Sequence, residues 1–210
     1  MGLRKSHQPA TGLRKVEPRD YDRLDLGGLV HQLNDDDAGT RRWAARDLAE
    51  FPQAVEALSR RLEVEADHSV REVIFTTLNR IGGVAAVDGV LPLLRSEDAN
   101  LRNGAIEVLS ALPQAVGPRI EALLHDADVD VRIFTVNLLC DLKHPEVPQW
   151  LQQVLHSEAH VNVVAAAIEV LAEVGNTKVL PALHAVRKRF PDDPFIGFAA
   201  DMAQQRIEAA

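Results

Sequence analysis

Asp37-Ala38-Gly39-Thr40-Arg41, Asp67-His68-Ser69-Val70-Arg71, Asp98-Ala99-Asn100-Leu101-Arg102 and Asp128-Val129-Asp130-Val131-Arg132 can be laid over one another with almost no adjustment. Each arginine is followed seven residues later by a leucine, at Leu48, Leu78, Leu109 and Leu139. A fifth copy ends at Leu171, because Ala105-Ile106-Glu107-Val108-Leu109 recurs as Ala167-Ile168-Glu169-Val170-Leu171. Along this leucine series the steps are 30, 31, 30 and 32 residues. A fixed period of that size marks a stack of small units, each too small to bury its own apolar face.

The apolar spacing within a unit is helical. With the motif arginine as position zero, positions −1, +3, +4 and +7 are Val70, Ile74, Phe75 and Leu78 in the second unit. In the third they are Leu101, Ala105, Ile106 and Leu109. This is an i, i+4, i+8 stripe widened by its i+3 neighbours, about 3.6 residues per turn. Each unit then reads as a first helix, an acidic turn and a second helix that stops near Pro52, Gly82, Pro113, Lys143 or Gly175. The expected fold is all-α, an α-solenoid of about six two-helix repeats at residues 25–52, 53–82, 83–113, 114–143, 144–175 and 176–207. The sixth has Phe195, Phe198 and Met202 in place of the motif, as expected of a terminal cap. Residues 1–24 are polar, contain Pro9 and Pro18, and repeat Gly-Leu-Arg-Lys; they read as a flexible basic arm.

The recurring D-x-x-[VTL]-R-x-x-A-x-x-x-L pattern resembles the short HEAT-like repeats of the phycobilin-lyase type, an armadillo-like architecture. The resemblance covers about residues 26–175 by motif and 176–207 by plan. It implies a bacterial protein and a role as one subunit of a chromophore attachment or removal enzyme, since such proteins commonly work as heterodimers.

Composition narrows the function. The formal charge is −8, and with six Lys/Arg against four Asp/Glu in residues 1–25 the repeat body stands at −10. An acidic body opposes the cationic stripe that a grip on nucleic acid needs, and so opposes a HEAT-like DNA-binding or glycosylase role. Cys140 is the sole cysteine, which excludes an internal disulfide. With no signal-peptide core and no run of about 18 apolar residues, the expectation is a cytoplasmic protein without membrane contact.

Candidate chemistry is sparse. Arg41, Arg71, Arg102 and Arg132 read as a structural ladder with Asp37, Asp67, Asp98 and Asp128, which also suit the N-caps of the second helices. His156-Ser157-Glu158-Ala159-His160 reads as a polar turn, because a zinc site needs further ligands. No histidine is followed by glutamate, unlike the HEAT-like hydroxylases. Cys140 sits on the buried edge of its helix as a small apolar residue. No catalytic residue, cofactor or metal is assigned.

What remains is a surface. Positions +1, +5 and +9 form one exposed ridge on the second helices, expected on the concave side. It takes in Arg42, Arg46, Glu72, Glu107, Ile133, Asn137, Glu169 and Glu173, with Phe134 beside it. Ile133, apolar where a polar residue is expected, is the expected anchor for a partner. On residues alone, the leading function is a non-enzymatic scaffold or adaptor that holds another protein or a peptide on this face. The alternative is the lyase-type subunit implied by the resemblance.

Overall fold

The computed structural model describes residues 25–209; the arm expected over 1–24 lies outside the described residues. Among the described residues there are twelve α-helices and no strand. The first unit holds α1 (Leu26–Gln32) and α2 (Ala38–Asp47), and the second α3 (Val55–Val64) and α4 (His68–Ile81). The third holds α5 (Gly83–Val90), extended by a 3-10 turn at Leu91–Arg95, and α6 (Ala99–Ala111). Then come α7 (Pro113–Leu124) with α8 (Val129–Asp141), α9 (Val147–Ser157) with α10 (Val161–Val174), and α11 (Leu180–Arg189) with α12 (Pro194–Ala209). No helix among the described residues is long and apolar enough to cross a membrane.

The acidic turns begin the second helices by the expected chemistry. The carboxylates of Asp37, Asp67, Asp98 and Asp128 each accept from backbone N–H groups two or three residues on. In the fifth unit His160 stands at the cap without a side-chain bond, whereas in the sixth Asp193 accepts from the N–H groups of Phe195 and Ile196. Gly82, at φ +67°, turns the chain straight from α4 into α5.

Stacking couples specific positions of adjacent second helices. Phe75, at +4 of unit two, lies where Gly104, at +2 of unit three, leaves room; a Cβ on Gly104 would sit 2.2 Å from the Phe75 ring. Thr77, at +6, donates its hydroxyl to the carbonyl of Ala45, at +4 of unit one, over 2.9 Å. Position +4 therefore faces the next unit, and +2 and +6 face the previous one. The second helices pack on one another all along the stack, more densely than the first helices do.

The arginines bind the turn ahead. Arg41 is buried and holds Glu65 of unit two through two bonds of 2.7 and 2.8 Å, while Nη1 donates to the carbonyls of Asp35 and Asp36. Arg71 donates to the carbonyl of Glu65 at 2.6 Å and pairs with Asp98 of unit three at 2.6 Å. Arg132 pairs with Glu158 of unit five at 2.8 Å and donates to the Asp126 carbonyl at 2.7 Å. The fifth unit has Val164 at position zero, but Arg189 of α11 reaches the Glu158 carbonyl at 2.7 Å. Arg102 departs from the expected pairing with an acid. Among the described residues it donates to the Ser96 carbonyl at 2.7 Å and lies 5.3 Å over the Phe134 ring. The acid in reach of its turn, Asp126, is taken by Arg95.

Glu65 is the most buried acid of this set, its side chain fully covered. Burial alone would raise its pKa, but hydrogen bonds from Arg41, the Asp67 N–H and Arg61 outweigh it and hold the carboxyl down to about 2. A folded-state pKa below the unfolded value gives stability that is complete above about pH 4.5 and lost as pH falls toward 2. Glu65→Gln is expected to lose roughly 2–4 kcal/mol at pH 7. Urea melts at pH 7 and pH 3 should then show a smaller acid-dependent loss in the variant than in wild type; an equal loss would place the titrating group elsewhere. Arg102→Ala removes one hydrogen bond and one cation–ring contact, an expected cost of about 1–2 kcal/mol, read as a lowered Tm. If Arg102→Ala melts like wild type, Arg102 is not structural.

Candidate functional site

The ridge is built by subtraction. Positions −1 and +3 face the core, +4 faces the next unit, and +2 and +6 face the previous one, so −2, +1, +5 and +9 are left to solvent in most units; at +1 Ile133 is half-buried and Ala165 is buried. Glu72, Thr76 and Arg80 are all exposed in unit two, as are Asn100, Asn103 and Glu107 in unit three. At its N-terminal end the ridge is basic: Arg42 reaches the Ser69 hydroxyl, and Arg46 lies 5.3 Å over the Trp43 ring. Arg80 pairs with Glu50, and Glu72 lies 3.6 Å from His68. Toward the other end the ridge turns acidic. Among the described residues Glu107, Asp141 and Glu169 are exposed and have no ion-pair partner, whereas Glu173 is held by Arg206 at 2.6 Å. Asn137, between them, is exposed.

Two expected features of the ridge are corrected. Ile133 is half-buried and packs against the core, so it is not the exposed anchor that helical phase implied. Phe134, at +2, faces unit three beneath Arg102 and belongs to the ladder. The apolar surface that is exposed on the ridge lies in the sixth unit. With Asp193 as the cap, position zero is Gly197, and Phe195, Phe198 and Met202 fall at −2, +1 and +5. They are 53%, 64% and 50% exposed. The sequence carried this signal in Asp193, but the arginine that marks register in units one to four has no counterpart there.

The sixth unit carries polar residues at two positions that are apolar in the other five. At +4, where the first five units place Ala45, Phe75, Ile106, Val136 and Ile168 against a neighbour, α12 carries Asp201, which pairs with Arg187 at 2.5 Å. At +7 the recurrent leucine is replaced by Gln204, bonded to His184 at 3.0 Å and to Glu208 at 2.9 Å. Among the described residues this face of α12 is polar and internally paired.

Other candidate chemistry is already engaged in structure. Glu158 of the His156–His160 turn takes Arg132 and the His160 N–H, and among the described residues no three His, Cys, Asp or Glu converge as metal ligands. A cavity of about 260 Å³ between units four and five is lined by Arg132 and Asp126, whose charges are spent on Glu158 and Arg95. Burial, with Asp141 and Glu173 nearby, pushes the Cys140 thiol pKa upward, so Cys140 is a poor thiolate. Trp150 is buried and stacks on His144 at 4.8 Å.

A family model of HEAT repeats matches residues 26–110 and 117–196. The bilin biosynthesis protein PecE of Mastigocladus laminosus is 32% identical over 152 residues, 70% of this chain and 56% of that protein. PecE of Nostoc sp. (strain PCC 7120 / SAG 25.82 / UTEX 2576) is 30% identical over 148 residues, 68% of this chain and 58% of that protein. The chain thus spans a little over half the length of these relatives. Among solved structures, an archaeal HEAT-like repeats protein from Thermococcus onnurineus NA1 is 18% identical, with 90% of this chain and 88% of that one aligned at a TM-score of 0.45. The complex of CpcE and CpcF of phycocyanin lyase from Nostoc sp. PCC7120 is 17% identical, covering 93% of this chain and 100% of that one at 0.38. The relatives named for bilin biosynthesis overturn the expectation of a generic, non-enzymatic scaffold. With repeats matched along most of its length and helix pairs in register beneath them, the chain belongs to the HEAT repeat family, in its short phycobilin-lyase-like form.

Proposed function

We propose that this protein is one subunit of a phycobilin-lyase-type activity that attaches a linear tetrapyrrole to an acceptor protein or removes it. The observation that carries the reading is the similarity to PecE across 70% of the chain, spread over several repeats rather than confined to one motif. The structure is compatible with a subunit that presents substrates to each other. The described residues show no assembled nucleophile and base, and burial with two nearby acids raises the pKa of the sole cysteine, Cys140, which weighs against its acting as a covalent carrier. The solvent-facing ridge, including Arg42, Arg46, Glu72, Glu107, Asn137, Glu169 and Glu173, is the surface we assign to a protein partner. A linear tetrapyrrole bears carboxylates, and the acidic reach of the ridge would repel them. The chromophore is therefore placed away from Glu107, Asp141 and Glu169, and the acceptor or companion subunit on them.

The test is a visible-range spectrum. The purified chain is mixed with a bilin, then with an apo-phycobiliprotein, with and without a second lyase-like subunit. A shifted bilin spectrum, or a covalently coloured acceptor formed only when this chain is present, is the expected result. Identical spectra with and without the chain in every combination would overturn the reading.

A further inference from the structure

Phe195, Phe198 and Met202 are the largest exposed apolar group on the second helices, and their exposure has no structural cause. At +4 and +7 of this unit stand Asp201 and Gln204, held by Arg187 and His184, so the polar residues of α12 lie on another side of the helix. The three apolar residues stand instead at −2, +1 and +5, which the second unit fills with Ser69, Glu72 and Thr76 and the third with Asn100, Asn103 and Glu107. Serine, asparagine or glutamate would serve equally well there for folding. A contiguous apolar stripe at i, i+3 and i+7 on a solvent-facing helix is a contact surface.

Charge says what covers it. The ridge leading up to this stripe carries Glu107, Asp141 and Glu169, carboxylates that are exposed and, among the described residues, unpaired by any cation. An anionic lipid surface or a nucleic acid would be repelled along that path. The ridge of a second copy offers little in return: among the described residues Arg42 is held only by the Ser69 hydroxyl, but Arg46 lies on Trp43, Arg80 is bound to Glu50, and Arg206 to Glu173. We infer that the sixth-unit end of the ridge docks a basic amphipathic segment of a partner protein. Its apolar side chains cover Phe195, Phe198 and Met202, and its lysine or arginine side chains reach Glu169 and Asp141. The apolar part supplies a desolvated anchor, and the flanking acids supply attraction and orientation. The inference deepens the function proposed above, and rests on it only in taking the occupant to be a protein.

The probe is a fluorescein-labelled 16-residue peptide with leucines at i, i+3, i+4 and i+7 and lysines on the opposite face, beside a counterpart with glutamates for the lysines. Binding to the full chain is read by anisotropy at low and at 0.5 M salt. The lysine peptide is expected to bind at least tenfold more tightly than the glutamate peptide. Phe198→Ser with Met202→Ser should weaken it tenfold or more. Glu169→Lys with Asp141→Lys should weaken it similarly and flatten the salt dependence. Val64→Ser with Val84→Ser, which alters exposed apolar residues of the first helices, should do neither. Thermal melts of all variants are expected within a few degrees of wild type. Equal binding of the two peptides, no binding by wild type, an equal loss in the Val64/Val84 variant, or a wild-type dimer by sedimentation that Phe198→Ser with Met202→Ser dissolves would each overturn it. No chromophore is present, so a failure here leaves the spectral test of the lyase-type reading untouched, and the reverse.

Discussion

No unit of this chain can bury its own apolar stripe, and the rest of the structure depends on that. A two-helix hairpin of about 30 residues leaves one side of its second helix uncovered, so stability comes from the joint between units. The joint here is specific rather than merely greasy. Phe75 fits because Gly104 has no side chain, Thr77 finds the Ala45 carbonyl, and Arg41 reaches across to a glutamate that belongs to the next turn. Each of these ties a residue of one unit to a residue about one period further along, which is why the period is kept so closely.

The arginines solve a second problem created by stacking. The turns between first and second helices bring several backbone carbonyls to the joint, where water access is reduced. Arg41, Arg71, Arg102 and Arg132 each donate to a carbonyl of the turn that precedes their own helix. Most also bind an acid from the unit ahead. One side chain thereby satisfies its own turn and fastens the next, with the planar guanidinium supplying donors in several directions. Where the residue is valine, as in the fifth unit, Arg189 approaches the Glu158 turn from the first helix of the sixth. The function of the position is kept even though its residue is not.

This explains what the sequence disclosed and what it withheld. Caps, helix stops and the leucine period are local, and Asp37, Asp67, Asp98 and Asp128 announce them directly. Partners across a joint are not local. Of the capping acids expected to bind the arginines, Asp98 does bind Arg71, whereas Arg41 and Arg132 take Glu65 and Glu158, which sit two residues before the capping position. Helical phase alone puts Ile133 in solvent, but it packs half-buried against the core. The ridge positions of the sixth unit are hidden in the sequence, because α12 lacks the arginine that marks register elsewhere; the capping Asp193 is the residue that reveals them.

The same register argument bears on how a solenoid evolves a function. Core, forward and backward positions are constrained by packing, so substitutions at them are felt by the fold. Where the −2, +1, +5 and +9 positions are exposed they are free of that constraint, unlike Ile133 and Ala165, and selection for binding can write on them one unit at a time. In this chain the writing is uneven: basic in unit one, polar in two and three, acidic through four and five, apolar in six. Six copies of one plan, under packing constraints alone, would have no reason to differ in that order. The gradient is therefore better explained by what the ridge touches than by what holds it up, and it gives the otherwise repetitive stack a direction along which a partner can be oriented.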